Sequence, residues 1–377
     1  MNKHLQVATL ILTAALAAAA QTTDSHIYRG SGNEWIREVH GTLSAARILR
    51  VTSTAGAIHI RGGQQNNIAY TAREHVHAGS EAAARRALSH LKFSVGSGEP
   101  AWLRAECGGS SQDYIDFDIQ APAQTSILKL ETEGGAVTVN NISGKVIANT
   151  GGGDISLDQI GGAISASSGG GTIAIGKAGA DVKAETGAGS IHIDSAAGQI
   201  AAKSGGGNLQ IGTGKIMWLQ TEGGRIQVAK CEGKIKAESG GGGIELNDVL
   251  GPAEIETGGG GIKVGPVIGG IRAETGSGPI VASLARGNIA FTDSRLETSV
   301  GDIVVYIPEG LGITVRAAVE AARGRGIQSD FSEIKVHGST DVGPREFYAE
   351  GSLSGGGPLL HVHTSTGNIA IKRKGRD

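Results

Sequence analysis

The chain has 377 residues, 63 of them glycine and only 8 proline, with 3% aromatics and a formal net charge of −2 from 34 basic and 36 acidic side chains. Glycine at more than twice its usual share of roughly 7%, without matching proline, excludes collagen and a proline-rich linker, and a balanced charge with no basic stripe argues against a nucleic-acid partner. So few aromatics also exclude a conventional large core and point to thin layers of Ile, Val, Leu and Ala.

At the N-terminus, Lys3 and His4 precede an apolar run from Val7 to about Ala20, and Ala18-Ala19-Ala20 supplies the small residues a signal peptidase needs. The run is short against the roughly 20 apolar residues of a spanning helix. Residues 1–20 therefore read as a signal peptide cut after Ala20, with a retained anchor as the alternative. No cysteine sits at the cut to carry a lipid, and no second apolar segment of spanning length follows. The expectation is an exported chain in the periplasm, on the outer surface or in the medium, without a membrane span after cleavage. Cys107 and Cys231 would then meet an oxidising compartment, which permits a disulfide, but nothing in their spacing predicts one.

Residues 21–125 read as a β-rich cap with one helix. Val51 to Ile60 resembles a degenerate copy of the repeat described below. Ser80 can cap a helix running to about Leu91, with Glu81 in its first turn. Tyr114 to Gln120 alternates as a strand and is expected to lead into the array.

From residue 126 to 292 a Thr or Ser followed by glycines recurs at Thr132, Thr150, Ser168, Thr186, Ser204, Thr221, Ser239, Thr257 and Thr275, in steps of 18 except for one of 17 between Ser204 and Thr221. With each repeat numbered from that residue, position 6 is aliphatic in every copy, from Val137 and Ile155 to Ile280, and position 8 nearly so, from Val139 and Leu157 to Ala282. Position 15 runs from Val146 through Ile216 of the short copy to Ile289, and position 17 is mostly Ala, as at Ala148 and Ala166. Residues two apart on a strand share a face. Positions 6 and 8 therefore form one inward pair, and 15 and 17 form another. The predicted fold is all-β: a two-sheet parallel β-solenoid, or single-stranded β-helix, only superficially pectin-lyase-like, with 18-residue coils and a small capping helix. Nine coils at the roughly 4.8 Å spacing of neighbouring strands make a rod of about 40 Å, and the unpaired ends require caps.

The structural turn at position 4 falls on Gly135, Gly153, Gly171, Gly189, Gly207, Gly224, Gly242, Gly260 and Gly278. These glycines are expected to supply turns with positive φ and to let successive backbones stack closely. After Thr275 the spacing slips. Thr298 to Ile303 restarts the pattern 23 residues later and Thr364 to Ile369 repeats it, so residues 293–377 read as a continuation of the solenoid and its second cap.

Taken together, the opening segment Ile48 to Ile60, the helix-bearing insert, Ile115-Asp116-Phe117-Asp118-Ile119-Gln120-Ala121-Pro122, the T-x-G-G/G-x-I-x-V copies, Ile303 to Gly310 and the closing Thr366 to Ile371 resemble a bacterial candidate-adhesin family of β-strand-repeat envelope proteins, a domain of unknown function. That resemblance implies a β-helix-like fold and a surface or adhesion role. It carries over no catalytic residue.

Candidate chemistry is sparse. Calcium-binding nonapeptide repeats place an Asp two residues after a glycine, and here that place is apolar, as in Gly153-Asp154-Ile155. Position 18 holds Glu185, Glu238, Glu256 and Glu274, and the last three are expected to form a surface ladder on successive coils. Stacked carboxylates raise one another's pKa or recruit a cation. The favoured reading is a solvated ladder relieved by Lys236 and Arg272, with cation binding or catalysis as the alternatives. His75/His77 and His361/His363 share strand faces but lack an evident third ligand, and read as surface histidines. Cys231 falls at the small apolar corner of position 11 and reads as buried. Trp218 falls near position 17 of the short copy, where it fills space at an irregularity or stacks on a sugar. No metal or cofactor is predicted.

The expected function is a non-catalytic, secreted or envelope module that is adhesin-like or a scaffold. Its partner is unknown: a cell-surface glycan, an envelope protein or further copies of itself. The alternatives are a polysaccharide-active β-helix lyase or hydrolase and a self-assembling structural protein.

Overall fold

The computed structural model describes residues 21–108, 110, 112–320, 326–338 and 346–375. The proposed signal peptide lies outside the described residues. Among those described, the chain forms strands throughout apart from one helix, Glu81–Leu88.

Each coil contributes one strand to each of two long sheets. In sheet I the strands span positions 6 to 11, as in Val137–Ile142, Ile155–Ile160 and Ile173–Ala178. In sheet II they end on position 1, as in Lys145–Thr150, Ile164–Ser168 and Val182–Thr186. Neighbouring coils pair in parallel and in register, Ile155 with Ile173 in sheet I and Ala166 with Ala184 in sheet II. Positions 6, 8 and 11 of sheet I and 15, 17 and 1 of sheet II point inward and are buried along the array. The short copy keeps register by losing one residue at its corner. Met217, not Ile216, then occupies position 15 opposite Ile200, and Leu219 occupies position 17. Ile289 is likewise not an inward residue. The 23-residue coil carries extra chain, so Ser294 and Leu296 fill the inward places while Ile289 is exposed.

The Thr or Ser at position 1 is buried because its hydroxyl joins two coils. Ser168 Oγ donates to the carbonyl of Gly153 on the preceding coil at 2.8 Å and accepts from the amide of its own Gly171 at 2.8 Å. Thr150 makes the same pair with Gly135 and Gly153 at 2.8 and 3.0 Å, and Thr257 with Gly242 and Gly260 at 2.7 and 3.3 Å. The ladder begins with Thr132 on Gly56 and continues to Thr364 on Gly301.

These contacts fit the close stacking expected at the position-4 glycines and correct the expected positive φ. Of the nine, only Gly278 has a left-handed φ, at 149°. The others are glycine because of crowding: a Cβ on Gly171 would overlap the Gly153 carbonyl, and one on Gly242 would overlap that of Gly224. The glycine that precedes it in turns such as these, Gly170 or Gly241, faces open space.

The ends are threaded out of sequence order. The coil Ile48–Ser53/Ile58–Gly63 is indeed a repeat. It is sandwiched between the coil Ala101–Cys107/Tyr114–Pro122 on one side and the coil Ile127–Thr132/Val137–Ile142 on the other. Tyr114–Pro122 therefore does not lead directly into the array. At the far end, the final coil Leu359–Thr366/Ile369–Arg373 slots between Ser294–Val300/Ile303–Ile307 and Ile313–Val319/Ile327–Ser329. Sheet I begins with the antiparallel strands Gln21–Arg29, Glu34–Ser44 and Asn67–His77.

The helix closes this end by burying Ala84 and Leu88, with Ser80 Oγ accepting from the Ala83 amide. It stops at Leu88, short of the expected Leu91, because Ser89 caps it and Leu91 already begins a strand. Bulk concentrates at this cap, where Phe93 lies 5.6 Å from Tyr70 and 5.7 Å from Phe117, centroid to centroid.

Two predictions separate crowding from flexibility. Gly171→Ala should lower stability by about 2–3 kcal/mol through overpacking against backbone, while Gly170→Ala should leave the melting temperature nearly unchanged. Ser168→Ala should cost about 1–3 kcal/mol by leaving a buried amide and carbonyl without their partner, and Ser168→Thr should be tolerated because Thr fills the equivalent place in other coils. Thermal melts of the four variants check both.

Candidate functional site

Strand alternation gives sheet II two outward columns, at positions 16 and 18, that run strand by strand along the rod. The acidic ladder lies in the second column. Glu238 pairs in register with Glu256, Glu256 with Glu274, and Glu274 with Glu297. Glu297 was not anticipated because the 23-residue coil breaks the spacing, although it precedes Thr298 as Glu274 precedes Thr275. The first column compensates the charge along each strand. Lys236 Nζ lies 2.8 Å from Glu238 and 3.4 Å from Glu254. Arg272 Nε lies 2.9 Å from Glu274, and Arg295 lies 3.1 Å from Glu297. Glu238, first by hydrogen bonding and then by its charge, holds the Lys236 ammonium above its ordinary range, and Glu274 does the same for Arg272. Glu185 stands apart from the run, opposite Lys203 and paired with Lys183 at 3.0 Å.

The two histidine pairs differ. His361 and His363 are outward on sheet II with ring centroids 6.2 Å apart, one 3.5 Å from Glu297 and the other 3.1 Å from Glu320. His75 is not a surface residue. It is 8% exposed, stacks on Tyr114 at 4.3 Å, and its Nδ1 lies 2.9 Å from Glu34. That hydrogen bond lowers the pKa of Glu34, whereas burial raises that of Glu74 against the opposing pull of Arg37. Among the described residues, no three His, Cys, Asp or Glu side chains gather closely enough to hold a metal ion. Cys107 and Cys231 are both free. Cys231 is buried at its corner, and burial pushes its thiol pKa up.

Trp218 occupies position 16, not 17, between Ala201 and Lys236 in register, and points outward at 43% exposure. It therefore fills no gap inside the coil. Beside it lies a recess of about 300 Å³ that includes Ala201, Lys203, Gln220 and Glu238. The other exposed tryptophan among the described residues, Trp102, stands in the same column near the N-terminal end, in register with Arg50.

The fold defines the chain as a two-sheet β-solenoid. No family model matches its sequence, and no curated protein matches it. Among solved structures, it is similar to a candidate cell adhesion protein from Clostridium sporogenes, with 11% identity, a TM-score of 0.16, and 90% of this chain and 100% of that one covered. It is also similar to a candidate adhesin from Bacteroides fragilis, with 10% identity, a TM-score of 0.25, and coverages of 90% and 97%. Overlap at this level carries no argument about what the chain does. Among the described residues, no helix is long and apolar enough to cross a membrane.

Partial burial, outweighing the pull of Glu297, lowers the pKa of His361. Its folded pKa then lies below the ordinary value of about 6.5. The stability it contributes is present above that value and is lost as pH falls through the folded one. The drop in melting temperature between pH 7.5 and 5.5 should therefore be smaller in His361→Gln than in the parent, a difference that paired scans at the two pH values measure.

Proposed function

We propose that the protein is an exported, non-catalytic contact module, adhesin-like or a scaffold, that acts through the outer faces of its solenoid. The supporting observation is the outer face of sheet II. Its seventeen strands among the described residues, at a spacing of about 4.8 Å, span roughly 77 Å. Along much of that face, charged side chains pair with one another on the same or neighbouring strands. Backbone pairing fixes every column, so the face meets a partner with little ordering cost. Paired surface charges contribute little to stability individually, which leaves them free to serve recognition. Export, to the periplasm, the outer surface or the medium, belongs to the same reading and rests on the N-terminal sequence.

Self-association is a second reading with its own observation. Among the described residues, Gln21–Arg29, at the edge of sheet I, pairs with Glu34–Ser44 on one side only, and an open strand edge can recruit another chain.

A glycan and cell-wall binding array run beside lyase and hydrolase assays tests the first reading. Retention on at least one envelope polymer without its breakdown is expected. Release of unsaturated or reducing products from any polyuronate would overturn it. Sedimentation over a range of concentrations tests the second, and a strict monomer at the highest concentration counts against it.

A further inference from the structure

We propose that the recess beside Trp218 is a carbohydrate subsite that stacks one pyranose ring of an acidic, uronate-bearing linear polysaccharide, the chain running along the solenoid axis over the outer face of sheet II. The inference deepens the contact-module reading and rests on it.

Three observations at the same place carry it. First, the indole of Trp218 is held in the open by a strand paired on both sides, so a large apolar ring stays in water. Second, its neighbour in the column is Ala201, whose side chain ends at Cβ, with Lys183 beyond it and Lys236 on the other side of the indole. The short side chain leaves room for the recess of about 300 Å³ along the indole, at the small end of the range of roughly 300–1,000 Å³ for ligand pockets. Third, the polar groups at its rim divide into occupied and available. Glu185 is engaged with Lys183, which lies outside the recess, at 3.0 Å, and Lys236 with Glu238 at 2.8 Å and Glu254 at 3.4 Å. Lys203 and Gln220, adjacent in the next column, make no ion pair or side-chain hydrogen bond among the described residues.

A flat aromatic face with donors at its edge suits a sugar. The C–H face of a pyranose covers the ring, and the hydroxyls take hydrogen bonds from the amide and the ammonium. Two carboxylates and two lysines line the recess; the carboxylates are held by Lys183 and Lys236, so the Lys203 ammonium is the cation left to meet a carboxylated sugar. The axis direction follows from the column. Trp102 stands in the same outward row seven strands away, about 34 Å at 4.8 Å per strand, and offers a long polymer a second indole.

Calorimetry of the purified protein with an oligogalacturonate, and with a cello-oligosaccharide of equal length, tests the subsite. The oligogalacturonate should bind and shift the tryptophan fluorescence. Trp218→Ala should weaken binding at least ten-fold and Lys203→Met several-fold, with melting temperatures unchanged because both side chains point into solvent. Trp102→Ala should leave the short oligosaccharide unaffected and weaken binding of long polygalacturonate. Unaltered affinity in Trp218→Ala overturns the subsite. Equal binding of the uncharged oligosaccharide overturns the acidic class. If the protein binds an envelope polymer or protein on the array but binds no oligosaccharide here, the subsite fails while the contact-module reading stands. If it binds nothing in either experiment, both fail.

Discussion

A hydroxyl buried between two glycine turns sets the geometry on which the solenoid depends. On the coils from Thr132 to Thr257, the Thr or Ser at position 1 donates to the carbonyl of the glycine below and accepts from the amide of its own, while Thr275 only donates. Both backbone groups lie where water cannot readily satisfy them, so the hydroxyl meets a need that would otherwise cost free energy at each of these coils. The bond also fixes how close the turns lie. At that separation there is no room for a Cβ over the carbonyl below, and position 4 must be glycine for reasons of space rather than of dihedral angle. Close turns in turn hold the two sheets near enough for Ile or Val on one to meet small residues such as Ala on the other.

An array of this kind leaves its last coil unsatisfied at each end, and the chain meets the problem with sequence-distant strands. The coil of residues 48–63 and the coil of residues 359–373 are each enclosed between neighbours on both sides. Neither end can then peel away by fraying a terminus alone, because the coil next to the array is covered by chain from elsewhere. Beyond these coils, the antiparallel strands, the helix and the aromatic cluster around Phe93 and Phe117 fill cross-sections that thin aliphatic layers cannot close.

The same registration that packs the interior arranges the exterior. Outward residues at positions 16 and 18 stand in straight rows, so a substitution on one coil acquires meaning from residues 18 or 36 places away. Glu238, Glu256 and Glu274 form a ladder relieved by Lys236 and Arg272, and the short side chain of Ala201 leaves room for the recess beside Trp218. A surface of this regularity suits a repeating partner, which is the physical basis for the proposal that it is a contact face for a polymer.

The sequence by itself determined the period, the two-sheet solenoid, the inward aliphatic positions, the capped helix at Ser80 and the ladder of glutamates. All follow from alternation and spacing, which act locally and repeat nine times. The outward place of Trp218, the exposure of Ile289 and the continuation of the ladder to Glu297 depend on where irregular coils shed or absorb residues, and only strand pairing settles that. The burial of His75 depends on Glu34 and Tyr114, which come from other strands. The enclosed coils at both ends were decided by tertiary structure alone. A repeat copy states that it will stack on another copy, but copies with nearly the same inward residues offer similar energies to several neighbours, and the order is fixed by the loops and caps that join them.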